Sequence, residues 1–340
     1  MRLEVRGHPI HTRALAVELA QRGDGRVDTR GYILDLRKRG VVPIAADLQG
    51  PGVIHHMLID AVVEPSALRL DEIGARQPSV AFEASAVTRG ESCRDPIARI
   101  EELRGSILDD EYARRLGAAI GGPRGCSHIL TLAQLLGSTV RWALAHRIAG
   151  ERRAGERIFR RDVALDGHEP EERQVEIAIQ VTDAHFAPAG AFAQPMSRFG
   201  MMHEVRALVR VDLAKLALAS VEIGERRRTA SEVEDATWRD RGDLADGLVG
   251  QSALRGLSSV LLRRLTVAPQ DAPAYDALLM LAPAMIQCFA TMSDAWLRNA
   301  RDADSLIGMG GIPDSCYMWR RGGALDQARK PGDPVSAILK

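Results

Sequence analysis

The sequence repeats itself, with equivalent residues 148 positions apart. Ile158-Phe159-Arg160-Arg161 aligns with Ile10-His11-Thr12-Arg13, and the same offset places Asp183 on Asp35 and His203 on His55. The match runs without a gap over about forty-five positions, and its apolar residues alternate in phase. This self-similarity indicates an internal duplication, so a single folding unit has to account for both halves of the chain.

Within each copy, the pattern predicts strands first and helices afterwards. Leu15, Val17 and Leu19 alternate as in a strand, and Gly23-Asp24-Gly25 marks a hairpin turn. A second hairpin is predicted over 53–73. Helical spacing begins at Ile97, continues over 112–120, and leads to a long apolar helix over 126–148. Each copy is therefore expected to be an α+β unit, with about four antiparallel strands followed by two helices.

The unit defines a domain plan for the whole chain. Residues 1–150 form the first repeat, residues 151–304 the second, and residues 305–340 a C-terminal tail. Because neither sheet can bury a face alone, we expect two sheets packed about a pseudo-twofold axis and covered by the helices. Two separate domains are the alternative. Aromatic residues make up only 4% of the chain, so the proximity of Tyr317 and Trp319 suggests that the tail docks on the body.

Composition argues against several classes of partner. The 45 Lys and Arg residues balance 45 Asp and Glu residues, which favours neither nucleic acid nor an anionic membrane. Three of the first six residues are charged where a signal peptide needs an apolar run, and no run approaches the roughly 20 apolar residues of a membrane span. The four scattered cysteines suit a reducing compartment. We therefore expect a cytoplasmic protein with a small-molecule substrate, and exposed sheet edges favour a homodimer.

The segment Gly121-Gly122-Pro123-Arg124-Gly125-Cys126-Ser127-His128 carries the strongest chemical pattern. A glycine-rich turn enters a helix and places Cys126 in the first helical turn, where free N–H groups favour an anion. This setting lowers a thiol pKa, and it equally suits a substrate carboxylate or phosphate. Residues i and i+2 do not share a helix face, so a direct pair between Cys126 and His128 is not expected. The alternative is that both side chains are structural.

Two adjacent histidines form a second candidate group. His55 and His56 lie on a predicted strand, so only one of them can point inward. His55 is matched by His203, and it is either structural or faces a shared cavity. His56 is matched by Glu204 and is private to the first copy. These histidines, Cys126 and His128 are suitable zinc ligands, but their spacing matches no metal motif. No metal or other cofactor is expected.

The second copy lacks the glycine-rich turn. An offset of 149 places Tyr275 at the position of Cys126 and Ala277 at that of His128. The apolar pattern is kept while the polar group is lost. We therefore predict that the first repeat carries the site and that the second repeat is degenerate.

Several motifs resemble those of DUF2889, a bacterial domain family of unknown function. They are Arg13, the Asp24-Gly25 turn, Asp35, Ile54-His55-His56-Met57, Gly125-Cys126-Ser127-His128-Ile129, and Asp314-Ser315-Cys316-Tyr317 followed by Arg320 and Gly323. The Gly-Cys-(Ser/Thr)-His turn is the most specific of these motifs and is intact. The family pattern Ile-His-Asp-Met has His56 in place of its acid. The resemblance covers residues 10–148 and returns at 314–323.

The resemblance implies a role in the catabolism of aromatic compounds. In that setting we expect a cofactor-independent carbon–carbon lyase that releases formaldehyde from the hydroxymethyl side chain of a lignin-derived aromatic. Such a reaction needs a base and a group that stabilises the developing negative charge. The candidate catalytic residues are His55, His56, Cys126 and His128, and the candidate substrate-binding residues are Arg124, Gly125, Ser127, Tyr317 and Trp319.

Three alternatives stay open at this point. A hydrolase or acyl-transfer enzyme would use Cys126 as its nucleophile. A non-enzymatic binding protein would hold an apolar ligand in its cavity. A metalloprotein would use the cysteine and histidine side chains as ligands.

Overall fold

The computed structural model describes residues 1, 3–44, 47–169, 174–190, 195–229, 236–253, 256–292 and 313–328. Its strands are β1 His8–Gln21, β2 Val27–Arg37, β3 Val42–Ile44, β4 Asp47–Gln49, β5 Gly52–Glu64, β6 Arg69–Ser79, β7 Arg157–Glu169, β8 Gln174–Phe186, β9 Phe199–Asp212, β10 Ala217–Arg228 and β11 Arg239–Asp240. Each half therefore has two long hairpins, as the alternation of apolar residues predicts, because half-buried strands bury every second side chain.

The eight long strands and the two-residue β11 form one antiparallel sheet of nine strands in the order β11-β10-β9-β8-β7-β1-β2-β5-β6. This architecture confirms the α+β class, but it corrects the expectation of two packed sheets. The two sets of strands join edge to edge, because β1 pairs with β7 along almost its whole length. That pairing satisfies the backbone N–H and C=O groups that two separate sheets would leave exposed at their edges.

The register between β1 and β7 is symmetric. Leu15 lies opposite Val163, Arg13 opposite Leu165, and Val17 opposite Arg161. The pairing is thus symmetric about a twofold axis between Leu15 and Val163. Adding 148 to the number of the β1 residue in one pair, and subtracting 148 from that of its β7 partner, gives the pair on the other side of this axis. The duplication itself stays an interpretation of the sequence.

Helices cover one face of the sheet in both halves of the chain. They are α1 Tyr112–Ile120, α2 Ser127–Ala145, α3 Gly242–Ala245, α4 Leu257–Val267, α5 Ala272–Leu279, α6 Leu281–Thr291 and α7 Ala324–Ala328. Helix α2 packs on β1, β2 and β5, while α5 packs on β8 and β9, and α6 on β1 and β7. The main core lies between these helices and one face of the sheet.

The opposite face of the sheet is polar. Asp60 accepts hydrogen bonds from Arg30 Nε at 2.7 Å and from Arg76 Nη2 at 2.8 Å, across three neighbouring strands. All three side chains are at least two-fifths exposed, so these ion pairs contribute little to stability. Polar side chains are thus ordinary on this open face, whereas a polar side chain on the helix-covered face lies in the apolar core.

One helical stretch, Pro269–Thr291, is long and apolar enough to cross a membrane by length and composition alone. It is interrupted at Met280, where α5 ends and α6 begins, and 78% of its most apolar window is buried inside the protein. Such burial is consistent with a core helix of a soluble protein.

Candidate functional site

A row of three polar side chains crosses the first half of the sheet. Arg13 on β1 lies opposite Asp35 on β2, and Asp35 lies opposite His55 on β5. Arg13 Nε and Nη2 donate to the two carboxylate oxygens of Asp35 at 2.7 and 3.0 Å. His11 Nε2 lies 3.3 Å from Oδ1, and His55 Nδ1 lies 3.4 Å from Oδ2. All four side chains are buried on the helix-covered face.

The charge of Arg13 decides the state of Asp35. Burial by itself would raise the pKa of this carboxyl group, but the guanidinium beside it holds the pKa well below its usual range. Asp35 is therefore an ionised carboxylate inside the core, and its attraction to cations and N–H donors is not weakened by water.

The glycine-rich turn brings Cys126 and His128 over this row. Gly125 has an extended backbone, and a Cβ there would lie 2.2 Å from the carbonyl oxygen of Ile120, so only glycine fits. Cys126 is the N-cap of α2, with φ −98° and ψ 123°, and the helix begins at Ser127. The chain therefore enters the helix directly above Asp35.

The extended backbone of Cys126 corrects one expectation from the sequence. Because Cys126 lies outside the helix, its Sγ is 3.9 Å from Nδ1 of His128, although the two residues are only two positions apart. The expected lowering of the thiol pKa is wrong, since burial raises the pKa of Cys126 to about 12. The thiol is protonated at neutral pH.

His128 completes the cluster. Its Nε2 lies 2.9 Å from Oδ2 of Asp35, and its ring stacks on that of His55 with 3.7 Å between the centroids. Burial, followed by the neighbouring His55, lowers the pKa of His128 to about 3, so the imidazole is neutral. The terminal amide nitrogen of Gln287, on α6, lies 3.1 Å from the same Nε2. We call Asp35, His55 and His128 the first-half cluster.

His55 and His128 of the first-half cluster line a small pocket of about 80 Å³. Its other walls come from β2, the loop after β6, α6 and the segment 315–319. Phe82, Tyr317 and Trp319 supply aromatic surface, and Arg37 supplies a positive charge. Burial lowers the pKa of Arg37 only to about 10, so it remains charged. The pocket thus combines two imidazole rings, of which that of His128 is neutral, with one cation and aromatic walls.

The C-terminal segment 313–328 closes one side of this pocket. The backbone N–H of Tyr317 donates to the carbonyl of Gly125 at 2.8 Å, and Arg320 pairs with Glu91 at 2.5 Å. Trp319 packs edge-on against Phe82 at 5.4 Å. Residues 305–312 and 329–340 of the predicted tail lie outside the described residues.

The structure brings together most of the side chains that the sequence suggests. His55, Gly125, Cys126, Ser127, His128, Tyr317 and Trp319 all line the pocket. Two candidates lie elsewhere. His56 points to the polar face of the sheet because neighbouring strand residues alternate. The exposed Arg124 donates to the carbonyl of Ala118 at 2.6 Å and is not among the lining residues.

Sequence reasoning missed Asp35, Arg13 and Gln287 as members of the site. Arg13 and Asp35 had a usable signal, since both recur at the offset of 148, as Arg161 and Asp183. Gln287 gave no signal, because it comes from a helix that lies 159 residues further along the chain than His128.

A matching row crosses the second half of the sheet, with different neighbours. Arg161, Asp183 and His203 lie opposite one another in the same register. Here Arg161 also pairs with Asp276 of α5, which accepts a hydrogen bond from Ser138 at 2.7 Å. Nε2 of His203 lies 3.1 Å from Glu225. We call Arg161, Asp183, Asp276 and His203 the second-half cluster.

Fold and site together define an α+β protein whose single large sheet carries a buried carboxylate and two histidines beneath a glycine-cysteine-serine-histidine turn. The model of the family described as "Protein of unknown function (DUF2889)" matches residues 11–141, which supports assigning this part of the chain to the DUF2889 family. The match contains Asp35, His55, Cys126 and His128. No curated protein shows significant sequence similarity to the chain.

Proposed function

We propose that this protein is an enzyme that uses the first-half cluster for acid–base chemistry on a small aromatic molecule. The observation that carries the proposal is the position of two buried histidines beside an ionised carboxylate, on the wall of a pocket with aromatic sides. A neutral imidazole can accept a proton, and an adjacent carboxylate stabilises the imidazolium that forms. His128, which lies 2.9 Å from Asp35, has this arrangement.

Within this class we propose a carbon–carbon lyase that releases formaldehyde from a hydroxymethyl side chain. The base removes the hydroxyl proton, and the O–H electron pair forms the C=O bond of formaldehyde. The electrons of the broken C–C bond pass into the conjugated system of the substrate, for which a quinone methide is suitable. The quinone methide thereby becomes an alkenyl phenolate, and the base passes the proton that it took to solvent. The reaction needs no external oxidant or reductant.

The pocket suits the two ends of that reaction. Its volume of about 80 Å³ accommodates a hydroxymethyl group beside the cluster, and the ring would lie toward Phe82 and Trp319. Arg37 is the cation on the pocket wall, where it donates to the carbonyl of Gln49 at 2.8 Å. It can stabilise phenolate charge, and it takes the place of Arg124 among the predicted substrate-binding residues. The lignin-derived substrate, the bacterial source, the cytoplasmic location and a homodimer stay predictions.

The test is formaldehyde release by the purified full chain. The substrate is a 4-hydroxyphenyl compound that forms a quinone methide and carries a hydroxymethyl group on the adjacent carbon. His128→Ala should lower kcat/KM at least about 100-fold, the usual loss for a general base. His56→Gln, on the other face of the sheet, should be unaffected. Equal rates in the two variants would overturn the proposal, and tight binding without turnover would favour a binding protein.

One observation favours a second candidate, a hydrolase or acyl-transfer enzyme with Cys126 as its nucleophile. Cys126, His128 and Asp35 form a chain of contacts in space. Sγ of Cys126 lies 3.9 Å from Nδ1 of His128, and Nε2 of His128 lies 2.9 Å from Oδ2 of Asp35. This is the order of groups in a cysteine catalytic triad. Because the thiol is protonated, His128 would have to remove its proton during the reaction. Iodoacetamide inactivation that substrate prevents would support this candidate, and full activity in Cys126→Ser would exclude it.

A further inference from the structure

The first-half cluster has the donor set and the spacing of a metal site. Oδ2 of Asp35 lies 3.4 Å from Nδ1 of His55 and 2.9 Å from Nε2 of His128, and the three ligand atoms all lie within 4.8 Å of one another. Neighbouring ligands around a first-row metal ion, at bond lengths of about 2.1 Å, are about 3.0 to 3.4 Å apart. The three atoms therefore surround a point where an ion would fit with little movement.

A second observation points to a ligand rather than to internal pairing. Nδ1 of His55 is buried and has no hydrogen-bond partner among the described residues, although it faces Asp35. The residue is only 5% exposed, so water does not readily replace the missing partner. An ion bound at the edge of the two stacked rings, beside Oδ2 of Asp35, would satisfy this nitrogen.

The environment of His128 fits the same explanation. Its Nε2 faces both the Asp35 carboxylate, which can only accept a hydrogen bond, and the amide nitrogen of Gln287, which can only donate one. A single N–H cannot satisfy both neighbours, whereas a metal-bound Nε2 needs no proton. A half-turn of the Gln287 amide exchanges its nitrogen and oxygen, and it would then offer a fourth ligand.

We infer that Asp35, His55 and His128 bind a divalent transition-metal ion such as Zn²⁺, with Gln287 as an additional oxygen donor. Two imidazoles and one carboxylate are a ligand set that zinc and neighbouring first-row metals prefer. Arg13 would orient this ligand without touching the ion, because its guanidinium donates to both oxygens of Asp35 and fixes the carboxylate plane. The inference concerns binding and stands apart from the acid–base proposal, because a histidine that holds an ion does not at the same time accept a proton.

The charge balance of the site indicates what else the ion would bind. Asp35 and Arg13 cancel one another, so a divalent ion leaves two positive charges inside the core. A buried excess of this size requires an anionic partner. The open side of the cluster faces the pocket, and the partner would therefore be a hydroxide, an alkoxide or a phenolate oxygen. This ligand class agrees with a substrate that carries hydroxyl groups.

The ligands escape a search for local motifs because they come from three separate elements. Asp35 is on β2, His55 on β5 and His128 at the start of α2. The sheet places the first two side by side, and the extended residue Cys126 sets the position of the third.

The experiment measures metal binding by the full-length protein after treatment with a chelator. Isothermal titration with Zn²⁺ and Co²⁺ should give one ion per chain. The visible spectrum of the Co²⁺ form should show nitrogen and oxygen ligation without a thiolate charge-transfer band. His55→Phe keeps the ring stack on His128 but removes the nitrogens, and it should weaken binding at least about 100-fold. His203→Phe is the matched control in the second-half cluster and should bind as the wild type does.

The outcomes separate clearly. Loss of binding in His55→Phe and its retention in His203→Phe support the site. Absence of binding in the wild-type protein, or equal affinity in both variants, overturns it. The wild-type titration decides the matter even if a variant does not fold. Formaldehyde release by a protein that binds no metal would refute this inference alone and leave the acid–base proposal intact.

Discussion

The two halves of the sheet carry the same row of an arginine, an aspartate and a histidine, but different side chains cover the two rows. Arg13–Asp35–His55 and Arg161–Asp183–His203 have the same register in their halves of the sheet. In the first half, neutral groups cover the row, namely His128 and Gln287. In the second half, acids cover it, since Asp276 pairs with Arg161 and Glu225 with His203.

The side chains that cover each row determine whether the same Arg–Asp–His arrangement is structural or can bind a ligand. Where acids lie beside the arginine and the histidine, each of these two side chains has a partner on a neighbouring element, and the cluster holds the core together. Where the covering groups are neutral, the carboxylate and both imidazoles keep unused binding capacity. The covering helices also exchange halves, because Gln287 on α6 reaches the first cluster and Ser138 on α2 reaches the second.

The largest expected effect concerns the two aspartates. Asp35→Asn leaves Arg13 buried without an acid, and breaking a buried ion pair in this way costs about 3–5 kcal/mol of unfolding free energy. Asp183→Asn should cost clearly less, since Arg161 retains Asp276. Urea unfolding of both variants measures the difference. Equal losses would mean that Asp276 does not protect the second cluster.

Catalysis should show the next largest effect. Cys126 and Tyr275 occupy matching positions in the two halves, but only Cys126 touches His128. We expect Cys126→Ala to lower kcat/KM by at least about 10-fold, and Tyr275→Phe to leave it unchanged. Steady-state formaldehyde assays provide the values. A loss of activity in Tyr275→Phe would assign a working site to the second half.

A pH effect should distinguish the second cluster. Burial raises the pKa of Asp276 from 3.8 to about 6 despite the nearby Arg161. Between about pH 4 and pH 6 the folded protein then holds more protons than the unfolded chain, so this group lowers stability as the pH rises. Asp276→Asn should remove that fall, which is on the order of 3 kcal/mol. Denaturant midpoints at pH 4 and pH 7 measure it, and parallel pH profiles would refute it.

The smallest effect is expected where the C-terminal segment docks. Arg320 and Glu91 pair at 2.5 Å, but both side chains are about a quarter exposed. Arg320→Ala should therefore lower the unfolding free energy by less than about 1 kcal/mol. Because the segment forms one wall of the pocket, KM should rise more than kcat falls. A change confined to kcat would show that the segment contributes to the chemical step.

Local patterns predicted the hairpins and the helices α1 and α2, because alternation and helical spacing are properties of short segments. They could not predict how the two sets of strands meet, since a free edge can pair or be covered with similar benefit. The site was predicted in part. His55, Cys126 and His128 were found, whereas Asp35 required knowledge of which strands are neighbours. The contact between Cys126 and His128 depends on one extended residue, which residue spacing does not specify.

The most direct test of the contrast is to measure stability and activity together in His55→Phe and His203→Phe. His55 Nδ1 has no hydrogen-bond partner among the described residues, so His55→Phe should lose activity and keep nearly all of its stability. His203 contacts Glu225, and its hydrogen bond lowers the pKa of that carboxyl group to about 2. His203→Phe should therefore lose about 1.5–3 kcal/mol of unfolding free energy and keep its activity. The reverse result, or equal losses of both properties in the two variants, would contradict the account.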